Sequence, residues 1–247
     1  MTDSSSDATG VRLSIVMPVY NEEPTLREIT ERVFAACGDF SEVIFVDDGS
    51  KDSSLKIAHS LARPQDTVLS KENGGKGSAV RMGYEHAKGK YVIVQDADLE
   101  YSPEEIPGLL AYAEEHNSGA LFGSRRLKTQ KQFVHLAFFL GGTMLTHYCN
   151  LLHRTKLSDQ PTCYKMVRGD ILHSFRLKES DFRFDPELTS VLARKGVFID
   201  EQPISYHPRS LEEGKKINWK DGFKWLWVFT KLRFISRKRL EEIYAPA

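Results

Sequence analysis

Short, mostly apolar runs alternate along the first half of the chain with stretches whose apolar residues recur every three or four positions. The runs Leu13–Met17, Val43–Val46, Thr67–Leu69, Tyr91–Val94 and Ala120–Phe122 read as strands. Between them the spacing predicts helices over about Glu22–Ala36, Ser53–Leu61, Gly77–Ala87 and Pro103–Glu115. Repeated strand–helix–strand order with short connections implies an α/β domain whose mostly parallel sheet is covered by helices. In such sheets ligands bind outside the carboxyl ends of the strands.

The residues placed at those ends are polar. Pro18-Val-Tyr-Asn-Glu22 follows the first strand, Asp47-Asp-Gly-Ser50 the second and Gln95-Asp-Ala-Asp98 the fourth, all on one predicted edge. A dinucleotide-binding G-x-G-x-x-G is absent after the first strand, where no glycine occurs. Asn73-Gly-Gly-Lys-Gly-Ser78 looks like a phosphate loop, but Ser70 stands where the first glycine would be and Gly77 follows Lys76. A Walker-type nucleotidase is therefore disfavoured.

In an extended segment, residues two apart point the same way, so Asp96, Asp98 and Glu100 are expected to converge. Three anions held close raise one another's pKa unless a cation sits among them, and a hard divalent ion, Mg²⁺ or Mn²⁺, with oxygen ligands answers that need. A short D-x-D is also a common turn or cap, with Asp98 or Ser102 available to cap the helix near Pro103.

Composition narrows the frame. With 247 residues, 40% apolar and 28% charged, the chain suits one sizeable domain, expected over 11–217, with a polar disordered tail at 1–10 and a basic aromatic helix at 218–247. Net charge is zero, so no overall field points to nucleic acid. Cys37, Cys149 and Cys163 are widely spaced and form no CxxC, which argues for a reducing compartment and against a disulfide framework or zinc site. The first ten residues lack the basic start and apolar run of a signal peptide, and the expected location is the cytoplasmic side.

Taken in order, Ser14–Glu22, Val46–Ser50, Asn73–Ala79, Gln95–Glu100, Phe122–Arg125, Leu157–Cys163, Phe184–Leu188, Arg209 and Glu213–Ile217 resemble family-2 inverting glycosyltransferases of the GT-A fold. The resemblance runs from about residue 12 to 220 and is closest to the polyprenyl-phosphate (dolichyl-phosphate) hexosyltransferase branch. It implies a GT-A, Rossmann-like sheet flanked by helices, and transfer of a mannose or glucose from a UDP- or GDP-sugar to a polyprenyl phosphate. By the same resemblance, Pro18, Tyr20 and Glu22 shape the nucleoside pocket, Asp48 bonds the base with Lys76 beside it, and Asp96 and Asp98 hold the metal. Glu100 stands where relatives often have glutamine. Arg209 and Lys215 match a segment closing over the phosphates, and Arg125 faces the same cleft or forms a surface ion pair.

A lipid phosphate is already ionised and needs no strong base, whereas a hydroxyl acceptor requires one. Glu187 in Phe184-Asp-Pro-Glu-Leu188 is the candidate base, or else a helix-start acid; Asp159 is near the acceptor or structural. Phe133–Leu152 carries no Asp, Glu, Lys or Arg, but its paired glycines, histidines, threonines and Asn150 make it a poor span. The segment 133–156 is expected to be an amphipathic interfacial helix or helix pair, or plain core, flanked by Lys128, Lys131, Arg154 and Lys156. The aromatic and basic residues of 218–239 suit either a peripheral membrane surface or a helix packed on the domain. The alternatives are a soluble transferase acting on a glycan or glycolipid hydroxyl, and a non-catalytic nucleotide-sugar-binding or membrane-adaptor module.

Overall fold

Apolar alternation on both faces of the strands divides the interior into two cores. In the computed structural model, which describes residues 10–128, 136–208 and 219–246 (backbone only at 136–138, 219 and 220), these cores lie on opposite sides of one sheet. The chain runs β1 (Leu13–Val19), α1 (Leu26–Cys37), β2 (Ser41–Asp47), α2 (Ser54–Leu61), β3 (Thr67–Ser70), α3 (Lys76–His86), β4 (Tyr91–Val94), α4 (Ile106–Glu115) and β5 (Ala120–Ser124). It continues as α5 (Leu136–His153), β6 (Lys165–Arg168), α6 (Gly169–His173), α7 (Phe184–Arg194), β7 (Ile199–Pro203), α8 (Trp219–Phe234) and α9 (Arg237–Ile243). The seven strands form one sheet ordered β3-β2-β1-β4-β6-β5-β7. All neighbours are parallel except β6, which runs antiparallel to both β4 and β5.

Val16, Ile44, Val92 and Phe122 point to one face and pack with residues of α3, α6, α7, α8 and α9. Ile15, Phe45, Ile93 and Leu121 point to the other and pack with α1 and α4. This period of two explains why the central strands read as continuous apolar runs: both of their faces are covered.

Some boundaries depart from the sequence reading. Helix α1 starts at Leu26 rather than Glu22, because residues 22–25 form a turn in which Glu22 O accepts from Thr25 N (3.1 Å) and Leu26 N (2.9 Å). Strands β6 and β7 escape the sequence reading since Lys165-Met-Val-Arg168 and Ile199-Asp-Glu-Gln-Pro203 carry no apolar run; buried Lys165 is neutralised inside by Asp185. Within the described part of 133–156 there is a single helix, α5, which passes through Gly141-Gly142 without breaking. The expected terminal helix is two: Ser236 caps α9 by accepting from Arg239 N (3.2 Å), and Arg194 donates to the carbonyls of Arg233 and Ile235 between them.

Helices α5 and α8 pack through Leu145, Cys149, Trp225 and Phe229, so the aromatic segment is partly core. Each still leaves large apolar side chains exposed at helical spacing, Leu140, Met144 and Leu151 on α5, Phe223, Trp227 and Phe234 on α8. No helix among the described residues is long and apolar enough to cross a membrane.

His153 joins α5 to α7 and α8. Its Nε2 lies 3.1 Å from Phe229 O and 3.2 Å from Ser190 Oγ, while Nδ1 is buried without a partner among the described residues. Protonation would charge that unpartnered nitrogen, and burial accordingly pushes the imidazole down to about 4. A depressed folded-state pKa contributes stability above the unfolded value that is lost as pH falls towards the folded one. Between pH 7.5 and 5.5 the chain should therefore lose about 1 kcal/mol through His153 alone. Urea unfolding of the wild type and His153→Gln at both pH values tests this: the wild-type loss should exceed the variant's by that amount, and equal losses would refute it.

Candidate active site

The carboxyl ends of β1, β2 and β4 meet at a cleft of about 360 Å³. Its first wall is two loops bonded to each other. Asn21, in the left-handed region at φ 53°, accepts from Lys51 N (2.8 Å) through its side chain, and its own N–H donates to Ser50 Oγ (3.0 Å). Asp47 is the turn residue, accepting from Gly49 N and Ser50 N (both 3.2 Å). Asp48 instead reaches across to the glycine run, accepting from Gly74 N (2.9 Å), Gly75 N (2.8 Å) and Lys71 Nζ (2.7 Å). The lysine bonded to Asp48 is Lys71.

The glycine run is a site of close packing rather than a phosphate cradle. A Cβ on Gly75, at φ +91°, would stand 2.7 Å from Ser180 O, and one on Gly77 would stand 2.7 Å from both Glu179 O and Asp181 O. Only glycine lets the 179–181 backbone lie against the start of α3. Ser78 N then donates to both Gly75 O (2.9 Å) and Ser180 O (2.9 Å), joining the two segments.

The three acids after β4 do not converge. Residues 97–101 form bends rather than an extended strand, so the alternation rule fails there. Asp98 Oδ1 accepts from Glu100 N (3.0 Å), a local turn that sends Glu100 to Tyr206, whose hydroxyl donates to its Oε2 (3.1 Å). Asp96 pairs with Lys76 Nζ at 2.5 Å. Burial works to lower the Lys76 pKa, but neighbouring negative charge, Asp96 foremost and Asp98 as well, together offsets it and the ammonium is held well above its usual range. Among the described residues no group of three His, Cys, Asp or Glu side chains is placed to hold a metal, which corrects the expected Asp96–Asp98–Glu100 set. Ser102 does not cap the helical turn at 103–105 with its side chain.

Pro18, Tyr20, Glu22, Asp48, Lys76, Asp96, Asp98, Glu100 and Arg125 all line the cleft. Arg209, Lys215 and the rest of 209–218 lie outside the described residues. Arg125 is no surface pair: it grips fully buried Asp159 with two bonds (2.7 and 2.8 Å) and Pro161 O with a third (2.8 Å), and stacks over Tyr206. The guanidiniums hold Asp159 below the usual carboxylate range despite burial. Asp159 therefore acts by fixing the 159–163 stretch that forms one wall.

Glu187 is not in the cleft. It is fully buried and accepts from Lys178 N (2.9 Å), Glu179 N (3.0 Å) and Tyr244 OH (2.8 Å), bracing α7 against the 178–179 segment and the end of α9. It is neither a base facing a substrate nor a simple dipole acid. Two residues earlier, Asp185 does line the cleft, bonded to Lys165 Nζ and Gln160 Nε2 (2.9 Å). Burial pushes Asp185 up and Lys165 down from their ordinary values. The sequence signal for it was the same Phe184-Asp-Pro-Glu-Leu188 stretch, read one helix face away.

Seven carboxylates line the cleft (Glu22, Asp48, Asp96, Asp98, Glu100, Asp181, Asp185) against two cationic side chains among the described residues, Lys76 and Arg125. Lys71 and Lys165 neutralise Asp48 and Asp185 from behind, and the remaining excess of carboxylates disfavours an anionic ligand unless positive charge is added. This donor set fits a hard divalent cation that takes one or two carboxylates, here Asp96 and Asp98, and completes its shell with ligand oxygens. It does not fit an all-protein metal cage.

Residues 14–173 match the family model described as glycosyl transferase family 2. Among curated relatives, the undecaprenyl-phosphate 4-deoxy-4-formamido-L-arabinose transferase of Edwardsiella ictaluri (strain 93-146) is 33% identical over 213 residues, 82% of this chain and 62% of that one. The protein of the same name from Proteus mirabilis (strain HI4320) is 32% identical over 197 residues, 76% and 59%. The matches thus span less than two thirds of these relatives' lengths. Among solved structures, glucosyl-3-phosphoglycerate synthase from Mycobacterium tuberculosis in complex with Mn²⁺, UDP and phosphoglyceric acid superposes with a TM-score of 0.67 at 18% identity, covering 92% of this chain and 80% of that one. The same enzyme with Mg²⁺ and UDP gives 0.64 at 17%, covering 92% and 81%. The fold is GT-A, and the chain belongs to glycosyl transferase family 2.

Proposed function

We propose that this chain is an inverting transferase that moves a sugar from a UDP- or GDP-sugar onto a polyprenyl phosphate. One observation carries the lipid part of the reading: helix α8 lines the cleft with Trp225 while Phe223 and Trp227, two residues to either side, are each 65% exposed. A single helix so placed can rest on a lipid surface and reach the reacting centre. The names of the relatives, polyprenyl-phosphate sugar transferases, point to the same acceptor class. Exposed Lys224, Lys231, Arg237 and Arg239 suit anionic head groups, and peripheral docking on the cytoplasmic face is part of the proposal.

In this reading Asp48, Pro18 and Tyr20 receive the nucleoside, and Asp96 and Asp98 face the diphosphate. Bound there, Mg²⁺ or Mn²⁺ would neutralise charge on the leaving diphosphate. Lys76 can leave Asp96 for a phosphate oxygen, and Arg209 and Lys215 are assigned to the same phosphates. The acceptor phosphate, ionised at neutral pH, attacks the anomeric carbon opposite the leaving group, so no side chain need remove a proton. That agrees with Glu187 being sealed away from the cleft.

The direct test is incubation of the chain with radiolabelled UDP- and GDP-sugars and undecaprenyl phosphate, with Mg²⁺, Mn²⁺ or chelator. Metal-dependent lipid-linked product is expected with at least one donor, and its absence with all of them would overturn the proposal. Asp98→Ala should reduce transfer at least about a hundredfold and abolish the metal dependence of donor affinity; retained metal dependence would refute the metal assignment. Glu187→Gln sets an amide against two backbone donors and should cost about 2 kcal/mol of stability. Its turnover per folded molecule should stay within about threefold of wild type; a collapse of turnover with unchanged stability would return Glu187 to the chemistry.

A further inference from the structure

Two residues beyond Asp98, Glu100 lines the same cleft, yet its side chain is engaged on the opposite side of the bend. Tyr206 OH donates to Glu100 Oε2 (3.1 Å) and His207 N donates to Glu100 O (2.8 Å), so side chain and main chain both join the segment after β7. The phenol is itself held in place. Its ring centroid stands 5.2 Å from that of Tyr101, and the Arg125 guanidinium lies over it at 4.9 Å, with Arg125 gripped by buried Asp159. The Tyr101 hydroxyl in turn accepts from Cys163 N (3.0 Å). Burial and the Glu100 charge push the Tyr206 phenol above its ordinary value, so the hydroxyl stays a donor.

This arrangement bears on the charge at the metal position. In the proposed reaction, a divalent ion held by Asp96 and Asp98 is balanced by two carboxylates and keeps positions open for diphosphate oxygens. A third carboxylate would take one of those positions and leave the ion with net negative surroundings, against which a diphosphate is repelled. Glu100 is the carboxylate best placed to do so. Its N–H is bonded to Asp98 Oδ1 (3.0 Å), so a side chain released from Tyr206 would remain next to the ion. A hydrogen bond to an ionised carboxylate is one of the stronger kinds, and Tyr206 supplies it from a ring that other contacts already fix.

We propose that Tyr206 is a positioning residue that keeps Glu100 out of the metal's coordination shell and leaves the ion to Asp96, Asp98 and the diphosphate. The inference rests on the metal assignment made above and is independent of the acceptor.

The full chain is compared as wild type, Tyr206→Phe, Glu100→Gln and the double variant. Mn²⁺ affinity is read from the electron paramagnetic resonance signal of the free ion, and UDP affinity by calorimetry in saturating Mn²⁺. Tyr206→Phe keeps the ring between Tyr101 and Arg125 and removes only the hydroxyl. It is expected to bind Mn²⁺ at least about fivefold more tightly than wild type and UDP at least about threefold more weakly, because the freed carboxylate adds negative charge at the ion and takes a position from the diphosphate. Glu100→Gln has no charge to release, so adding Tyr206→Phe to it should change either affinity by no more than about twofold. A merely structural role for Tyr206 would weaken both ligands, with or without Glu100. Affinities in Tyr206→Phe that do not move in these opposite directions, or that move equally once Glu100 is replaced, would overturn the inference while the metal assignment stands. A wild-type chain that binds no Mn²⁺, alone or with UDP, would overturn both. Lipid transfer enters neither readout, so failure of the proposed acceptor is seen separately.

Discussion

Negative charge gathered at one edge of a parallel sheet is the constraint around which this molecule is organised. Seven carboxylates line a single cleft, and several others brace its walls. Left to themselves they would repel one another and resist ionisation. Each wall is therefore built around a cation or a set of amides: Lys71 and the Gly74 and Gly75 amides at Asp48, Lys76 at Asp96, Arg125 at Asp159, and Lys165 at Asp185. Buried pairs of this kind contribute little net stability, but removal of one partner is expensive, so they fix which segment sits where. In the proposed reaction, the positive charge still wanting in the cleft is what a divalent cation would bring.

Close backbone approach does the complementary work. Gly75 and Gly77 admit the 179–181 backbone, and that segment continues through Asp181, Phe182 and Asp185 along the opposite wall. Thr25 bonds both to Glu22 and to Ala97 O (2.9 Å), joining the loop after β1 to the loop after β4. The wall segments are thus coupled by short contacts that leave little room for independent movement.

Much of this was legible in the residues alone. Alternating apolar runs announced the parallel core, because burial on both faces leaves a continuous hydrophobic signature, and the polar strand ends marked the cleft. What escaped was set by partners distant in sequence. Lys165 in β6 hides a strand because its charge is cancelled by Asp185, twenty residues on. Glu187 passed for a base because its three donors come from segments 178–179 and 244. Asp96, Asp98 and Glu100 were read as extended, whereas a side-chain bond from Glu100 N to Asp98 turns the chain locally. Trp225 looked like a lipid-facing residue, and only packing against α5 separates it from Phe223 and Trp227.

The antiparallel course of β6 has a consequence for how the two ends of the site are held. Strands β1, β2 and β4 bring their carboxyl ends to the cleft, but β6 brings its beginning, through Thr162 and Cys163. The stretch between α5 and β6 is therefore free of the crossover geometry that ties every parallel strand to its helix. Its shape is held instead by side-chain bonds, Asp159 to Arg125, Gln160 to Asp185 and Leu157 N to Asn150. The end of the cleft at Thr162 and Cys163 therefore depends on side-chain partners in one short connection, whereas the ends of the parallel strands are positioned by backbone register.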